Sequence, residues 1–249
     1  MKRFFTIALI LGAFLTLLGL GTWQMQRLAW KEDLIAQAET RPTLPTIPLH
    51  ELVEEAGLVP LPTYTEEDGA EDEVAYRRVA VTGQFVGEPV RVFTLLSDPV
   101  GPYEGPGYWI MQPFEVGGPT LAPLFVNRGF IPFELAPDVT VRDAPTGIIR
   151  FEGLVRPDDL PDFFTPDPDY EDGILYRRSV AQMMQATGVS VALPITVDMP
   201  ASAVGGLPQA GETKFSFSNR HFEYMLTWYG LAAVLLAVVG TVMVQRRRR

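Results

Sequence analysis

Hydrophobic positions crowd into the two ends of the chain. Phe4 to Met25 (FFTIALILGAFLTLLGLGTWQM) runs 22 residues without a charge, and Tyr224 to Val244 (YMLTWYGLAAVLLAVVGTVMV) runs 21. At about 1.5 Å per helical residue each covers roughly 30 Å, the thickness of a bilayer's hydrocarbon core. Both are predicted to be transmembrane helices. A cleaved signal peptide is the alternative for the first, because a basic start and Gly19-Leu20-Gly21 loosely imitate one. Its apolar core is too long and its cleavage signal too poor for that reading to lead. Residues 31–39 (KEDLIAQAE) prolong the first helix until Arg41-Pro42 stops it. Each span also carries small residues at four-residue spacing, Ala8, Gly12 and Thr16 in one and Ala233, Ala237 and Thr241 in the other. Such stripes let helix backbones approach in lipid, so the spans are expected to pack through them.

Between the spans the pattern changes. Pro42, Pro45, Pro48, Pro60 and Pro62 mark an extended linker, and residues 64–73 read as a mobile acidic loop. From Tyr76 onward, short alternating or β-rich runs are divided by Gly and Pro. Strands are expected at Tyr76–Phe85, Pro89–Leu95, Tyr108–Phe114, Pro123–Ile131, Ile148–Val155 and Ile195–Val197. One helix is expected at Ser179–Thr187, ended by Gly188. The fold class is thus a membrane protein in which two transmembrane α-helices flank a mainly antiparallel β (α+β) extracytoplasmic domain, a small sheet or partial barrel. Residues 157–173 are acidic and proline-rich but hold Phe163, Phe164 and Tyr170. They dock a partner, or, the leading reading, their aromatics pin a solvated loop onto the domain.

Charge sets the orientation. The formal net charge is -10, but Lys2, Arg3 and Arg246 to Arg249 lie outside all thirty acids, leaving fourteen basic residues against thirty acidic ones in the middle. So acidic a domain repels nucleic acid. The basic clusters put both termini in the cytoplasm by the positive-inside rule. The order is then 1–3 cytoplasmic, 4–25 first span, 26–223 periplasmic domain, 224–244 second span and 245–249 cytoplasmic. Trp23, Trp30, Tyr224, Trp228 and Tyr229 form an aromatic belt at the outer ends, in agreement. The chain has no cysteine, which excludes disulfides, thiolate nucleophiles and zinc ribbons. Two histidines, His50 and His221, are too few for an all-protein zinc or copper site, and His50 in the linker is read as structural. No nucleophile-and-base set is present, so the protein is not expected to be an enzyme.

Two motifs flank the membrane. Gly21-Thr22-Trp23-Gln24-Met25-Gln26-Arg27-Leu28-Ala29-Trp30-Lys31 leaves the first span, and Asn219-Arg220-His221-Phe222-Glu223-Tyr224-Met225-Leu226-Thr227-Trp228-Tyr229-Gly230-Leu231-Ala232 enters the second. Together they resemble the surfeit locus protein 1 family of cytochrome c oxidase assembly factors. Tyr76-Arg77-Arg78-Val79, Phe125-Val126-Asn127-Arg128-Gly129-Phe130-Ile131-Pro132 and, more weakly, Glu152-Gly153-Leu154-Val155-Arg156 are similar to further family signatures, in family order. Arg220 stands where the family usually has a second asparagine, which puts in doubt any role needing an amide there. The acidic insert at 64–73 is a second departure.

The resemblance implies an assembly factor that assists haem a insertion or stabilises the haem-bearing subunit of cytochrome c oxidase, with that subunit and haem a synthase as partners. The alternative is a membrane scaffold that binds respiratory subunits without a cofactor. The implied cofactor is haem a, bound transiently, with His221 as the ligand of its iron. His221 is otherwise an interfacial histidine that orients its helix by hydrogen bonding. Trp23 anchors the belt or stacks on a porphyrin, and Gln24 bonds across to the second helix. Arg27 snorkels or, like Arg220, meets a propionate. Arg128 is read as a buried structural arginine paired with an acid. The expected location is a bacterial inner membrane. Alkaline phosphatase fused after Pro99 should be active and fused after Arg249 inactive; the reverse pattern would overturn the orientation.

Overall fold

A computed structural model of the chain describes residues 2–61, 70–117, 121–136, 144–160, 163–201, 206–213 and 220–248. The helices and strands are α1 (Lys2–Thr40), β1 (Ile47–Pro48), α2 (Leu49–Glu55), α3 (Ala70–Val74), β2 (Arg78–Phe85), β3 (Val90–Leu96), β4 (Gly105–Val116), β5 (Leu124–Pro132), β6 (Ile149–Arg156), β7 (Ile174–Leu175), α4 (Val180–Thr187), β8 (Thr196–Asp198) and α5 (His221–Arg247). They form two compact units, residues 1–37 with 215–249, and residues 38–214.

In the first unit, α1 and α5 are both long and apolar enough to cross a membrane. The apolar run of α1 continues without a break into its charged half, because nothing between Met25 and Thr40 forbids helix and the first proline is Pro42. A 3-10 turn at Arg41–Thr43 follows.

The second unit is a barrel. Its strands run in the order β1-β2-β6-β8-β5-β4-β3-β7, and β2 also pairs with β4. That extra pairing, Gly83 with Val116 through Phe85 with Phe114, closes β2-β6-β8-β5-β4 into a ring of five strands. The sheet is mixed. Among the described residues five pairings are antiparallel, and β1–β2, β3–β7 and β5–β8 are parallel. The alternation within each run decides what lies inside: Val79 and Val81, Phe114, Leu124 and Val126, Phe151 and Val155, and Val197 meet in one cluster. On the opposite face, Val92, Met111 and Phe125 pack under Val180 and Met183 of α4. Strand β5 is therefore buried on both sides over its whole length, which explains its near-continuous apolar sequence.

One irregularity re-aims β5. Between the pairs Trp109–Phe130 and Met111–Asn127, β5 is one residue longer than β4, a bulge at Arg128 and Gly129. Gly129 has φ +131, and a Cβ there would stand 2.5 Å from the Gln209 carbonyl carbon. Only glycine fits both constraints. The Asn127 side-chain oxygen accepts from the Gly129 N–H at 3.0 Å. Arg128 then turns inward and donates to Gln112 Oε1 at 3.0 Å, with its guanidinium over Phe85. One of its bonds there is to the Gln112 amide.

Arg178 pairs with an acid: it is buried and donates to Asp198 Oδ1 at 2.8 Å and Thr196 Oγ1 at 2.7 Å. Thr213 donates to the other Asp198 oxygen at 2.6 Å. Burial pushes the Asp198 carboxyl up, but Arg178, Arg156 and these bonds outweigh it, and the group sits below the usual range. Nearby, Asp158 accepts twice from the Val180 N–H at the start of α4, at 3.0 and 2.9 Å. Burial pushes its carboxyl up to about 7 despite that bond and the nearby Arg177 and Arg178.

All six expected strands appear, displaced by a few residues at their ends, as does α4 with Ser179 and Gly188 as its caps. Other expectations are corrected. The linker is not extended: Leu49 and Leu52, three residues apart on α2, bury themselves in the barrel core and leave His50 exposed. Of the acidic loop, 64–69 lies outside the described residues, while residues 70–74 form α3 and bring Val74 into the core. Phe163 and Phe164 do not pin their loop down, being 94% and 85% exposed.

The two carboxyls titrate with opposite effect. Asp158 holds its proton in the folded state, so its stabilisation is complete below pH 3.8 and fades as pH rises toward 7. Asp198 stabilises above the ordinary carboxylate range and fades as pH falls through its lowered value. Asp158→Asn should therefore raise the unfolding temperature at pH 8 and flatten its fall from pH 4 to 7. Asp198→Asn should lower it at pH 8, because Arg178 is left buried without its anion, at a cost of about 3 kcal/mol or more. Thermal unfolding of the full chain in detergent across pH checks both.

Candidate functional site at the paired helices

The least exposed positions of α1 include Ile10, Phe14, Leu17, Gly21, Gln24 and Leu28, separated by alternating steps of four and three. On α5 they include His221, Met225, Trp228, Ala232, Leu235 and Val239, with the same alternation. A mean step of 3.5 is the signature of a left-handed helix pair with one continuous seam. The contacts run antiparallel: Gln24 meets His221, and three residues earlier Gly21 meets Tyr229. This seam replaces the small-residue stripes as the packing face. Ala8, Gly12, Thr16, Ala233, Ala237 and Thr241 are all exposed, and the space beside Gly12 is open. The two threonines return their hydroxyls to their own helices, onto Gly12 O and Ala237 O.

Near one end of the seam, His221 Nδ1 lies 2.7 Å from Gln24 Oε1. Gln24 is only 9% exposed, and His221 is half-buried at the first position of α5. An amide oxygen has no proton to give, so Nδ1 carries the hydrogen and donates. In the neutral ring this places the lone pair on Nε2. A side-chain oxygen that fixes the tautomer from Nδ1 is how proteins commonly prepare a histidine to hold a metal through its other nitrogen. The donor set therefore fits an axial haem ligand.

The other candidates do not converge on this pair. Trp23 is 51% exposed. Arg27, also exposed, stacks over Trp30 of its own helix at 4.4 Å. Arg220 is exposed at the N-cap of α5, and Asn219 before it lies outside the described residues. Sequence reasoning missed Gly21, Thr22 and Tyr229 as a contact. They stand in the two motifs singled out above, and Gly21 has the spacing of the seam, but nothing in either motif says that they touch.

The barrel unit offers less. A cleft of about 390 Å³ is lined by Glu88, Arg91, Tyr170, Glu171 and Asp172 among others. Its charges are partly self-satisfied, since Arg91 donates to the Asp172 carbonyl. Among the described residues no three His, Asp or Glu side chains group closely enough to hold a metal ion.

Two long apolar helices joined by a histidine–glutamine pair, with a five-stranded mixed barrel encoded by the sequence between them, define a two-helix protein with one inserted barrel. The family model described as the SURF1 family matches residues 11–233, which takes in the barrel and the barrel-proximal part of each helix in the sequence. The chain belongs to the SURF1 family. It is 32% identical over 229 residues to a SURF1-like protein of Monosiga brevicollis, covering 88% of this chain and 80% of that one. It is 31% identical over 233 residues to Surfeit locus protein 1 of Takifugu rubripes, covering 88% of each. The Homo sapiens Surfeit locus protein 1 is 32% identical over 231 residues, covering 88% and 71%.

Proposed function

We propose that this chain is a cytochrome c oxidase assembly factor of the inner membrane that assists haem a insertion or stabilises the haem-bearing subunit. Its two apolar helices span the bilayer with both termini in the cytoplasm, and the barrel lies on the periplasmic side. The observation that carries the cofactor reading is the 2.7 Å contact between His221 Nδ1 and Gln24 Oε1. His221 would hold haem a through an imidazole nitrogen, and the haem would supply the iron. Gln24 holds the His221 proton on Nδ1 and orients the ring, so that Nε2 would be the nitrogen to meet iron. Arg220, beside the histidine, and Arg27 are the cations available to propionates, and Trp23 offers an exposed aromatic face. The haem-bearing oxidase subunit and haem a synthase are the partners this reading requires. The protein acts by holding and handing over, without a catalytic step of its own.

A second reading has one observation in its favour. A histidine and a glutamine that satisfy each other between two apolar helices need no cofactor to explain them, and such a bond stabilises a helix pair in lipid by about 0.6 to 2 kcal/mol. The protein is then a scaffold for respiratory subunits. Both readings share a first test. Reduced-minus-oxidised spectra of membranes with and without the gene should show a selective fall of the a-type haem band, with b- and c-type bands intact. An unchanged a-type band in a strain that depends on that oxidase would refute the role in oxidase assembly.

A further inference from the structure

The seam has a second contact whose geometry bears directly on the first. Gly21 is buried, and a Cβ built on it would lie 2.7, 2.8 and 2.9 Å from Cε1, Cδ1 and Cζ of Tyr229. Any side chain at 21 would displace that ring, so the ring occupies a hollow that only glycine leaves. At the tip of the ring, the Tyr229 hydroxyl lies 3.1 Å from Thr22 Oγ1. The Thr22 hydroxyl already donates to the Leu18 carbonyl at 2.9 Å, so in the contact between helices the phenol is the donor. A ring seated in a hollow resists sliding along the axis, and a directional bond at its tip resists rotation. The seat is within one turn of Gln24 on α1.

We propose that Gly21, Thr22 and Tyr229 are positioning residues, a register lock that brings His221 Nδ1 onto Gln24 Oε1. A slip of one residue would move α5 by about 1.5 Å and turn its next side chain by about 100°, which carries the imidazole off the amide. Steric exclusion at Gly21 sets the register, and the hydroxyl bond refines it. The lock rests on the cofactor reading only for what the histidine holds; the alignment is a property of the helices alone.

The absence of cysteine makes the alignment measurable in the whole chain, in membranes. Gln24→Cys with His221→Cys is treated with a short thiol-to-thiol linker, and the joined peptides are counted by mass spectrometry. Without further change the pair should link. Adding Gly21→Leu or Tyr229→Ala should abolish the linked species, while Tyr229→Phe, which keeps the ring and loses only the hydroxyl bond, should weaken it. Combining Gly21→Leu with Tyr229→Ala should restore linking, because the new side chain fills the space of the lost ring; recovery there rules out simple misfolding. Linking that persists undiminished in Gly21→Leu and in Tyr229→Ala overturns the lock. Absorption spectra of the same Gly21 and Tyr229 variants, with Gln24 and His221 intact, separate the two claims. No haem band in any of them, native seam included, with the linking pattern as expected, defeats the cofactor reading and leaves the lock standing.

Discussion

A hydrogen bond of 2.7 Å joins two polar side chains 197 residues apart on helices that meet along a mostly apolar seam. In such surroundings an amide or an imidazole is costly unless bonded, so this bond constrains everything near it. It fixes which imidazole nitrogen carries the proton. It requires the two helices to run antiparallel with their polar ends level. It also requires a register accurate to within one residue. The ring of Tyr229, seated where Gly21 leaves no room for a side chain, has the shape to meet that demand.

The barrel solves a different problem by related means. Closure between β2 and β4 pairs the two ends of the five-stranded ring, leaving only β1, β3 and β7 outside it. One of its buried polar networks joins Arg178, Asp198, Thr196 and Thr213. Removing one partner of such a network strands a charge. The bulge at Gly129 has a comparable purpose for the backbone: it lets Phe130 exchange both hydrogen bonds with Gln209 across a gap too narrow for any side chain.

How much of this can be read from the chain follows from the range of the interactions. Strands with clean alternation, such as Arg78–Phe85, were legible because each residue's partner face is implied by its neighbours. The two-residue strands β1 and β7 have no period to detect, and the prolines around α2 concealed a helix that needs only Leu49 and Leu52 to anchor it. Barrel closure and the parallel β5–β8 pair join segments far apart, and no local pattern encodes them. The small-residue stripes misled because alanine and glycine are equally at home facing lipid. Gln24 was legible as a residue that bonds across to the second helix and His221 as an interfacial residue that hydrogen-bonds, but that each is the other's partner was not. Arg27 and Trp23 were grouped with them as parts of one motif, yet the seam passes from Gln24 to Leu28, and positions one residue before either of these lie beside it.

The central claim is that the paired helices present His221 as a ligand prepared by Gln24. Its most direct test is the absorption spectrum of the full chain purified in mild detergent from membranes that make haem a. The account predicts a Soret band that His221→Ala abolishes and that Gln24→Leu weakens or shifts, since the ring loses the acceptor that fixes its tautomer. A colourless native protein, or a band that survives His221→Ala unchanged, would contradict it.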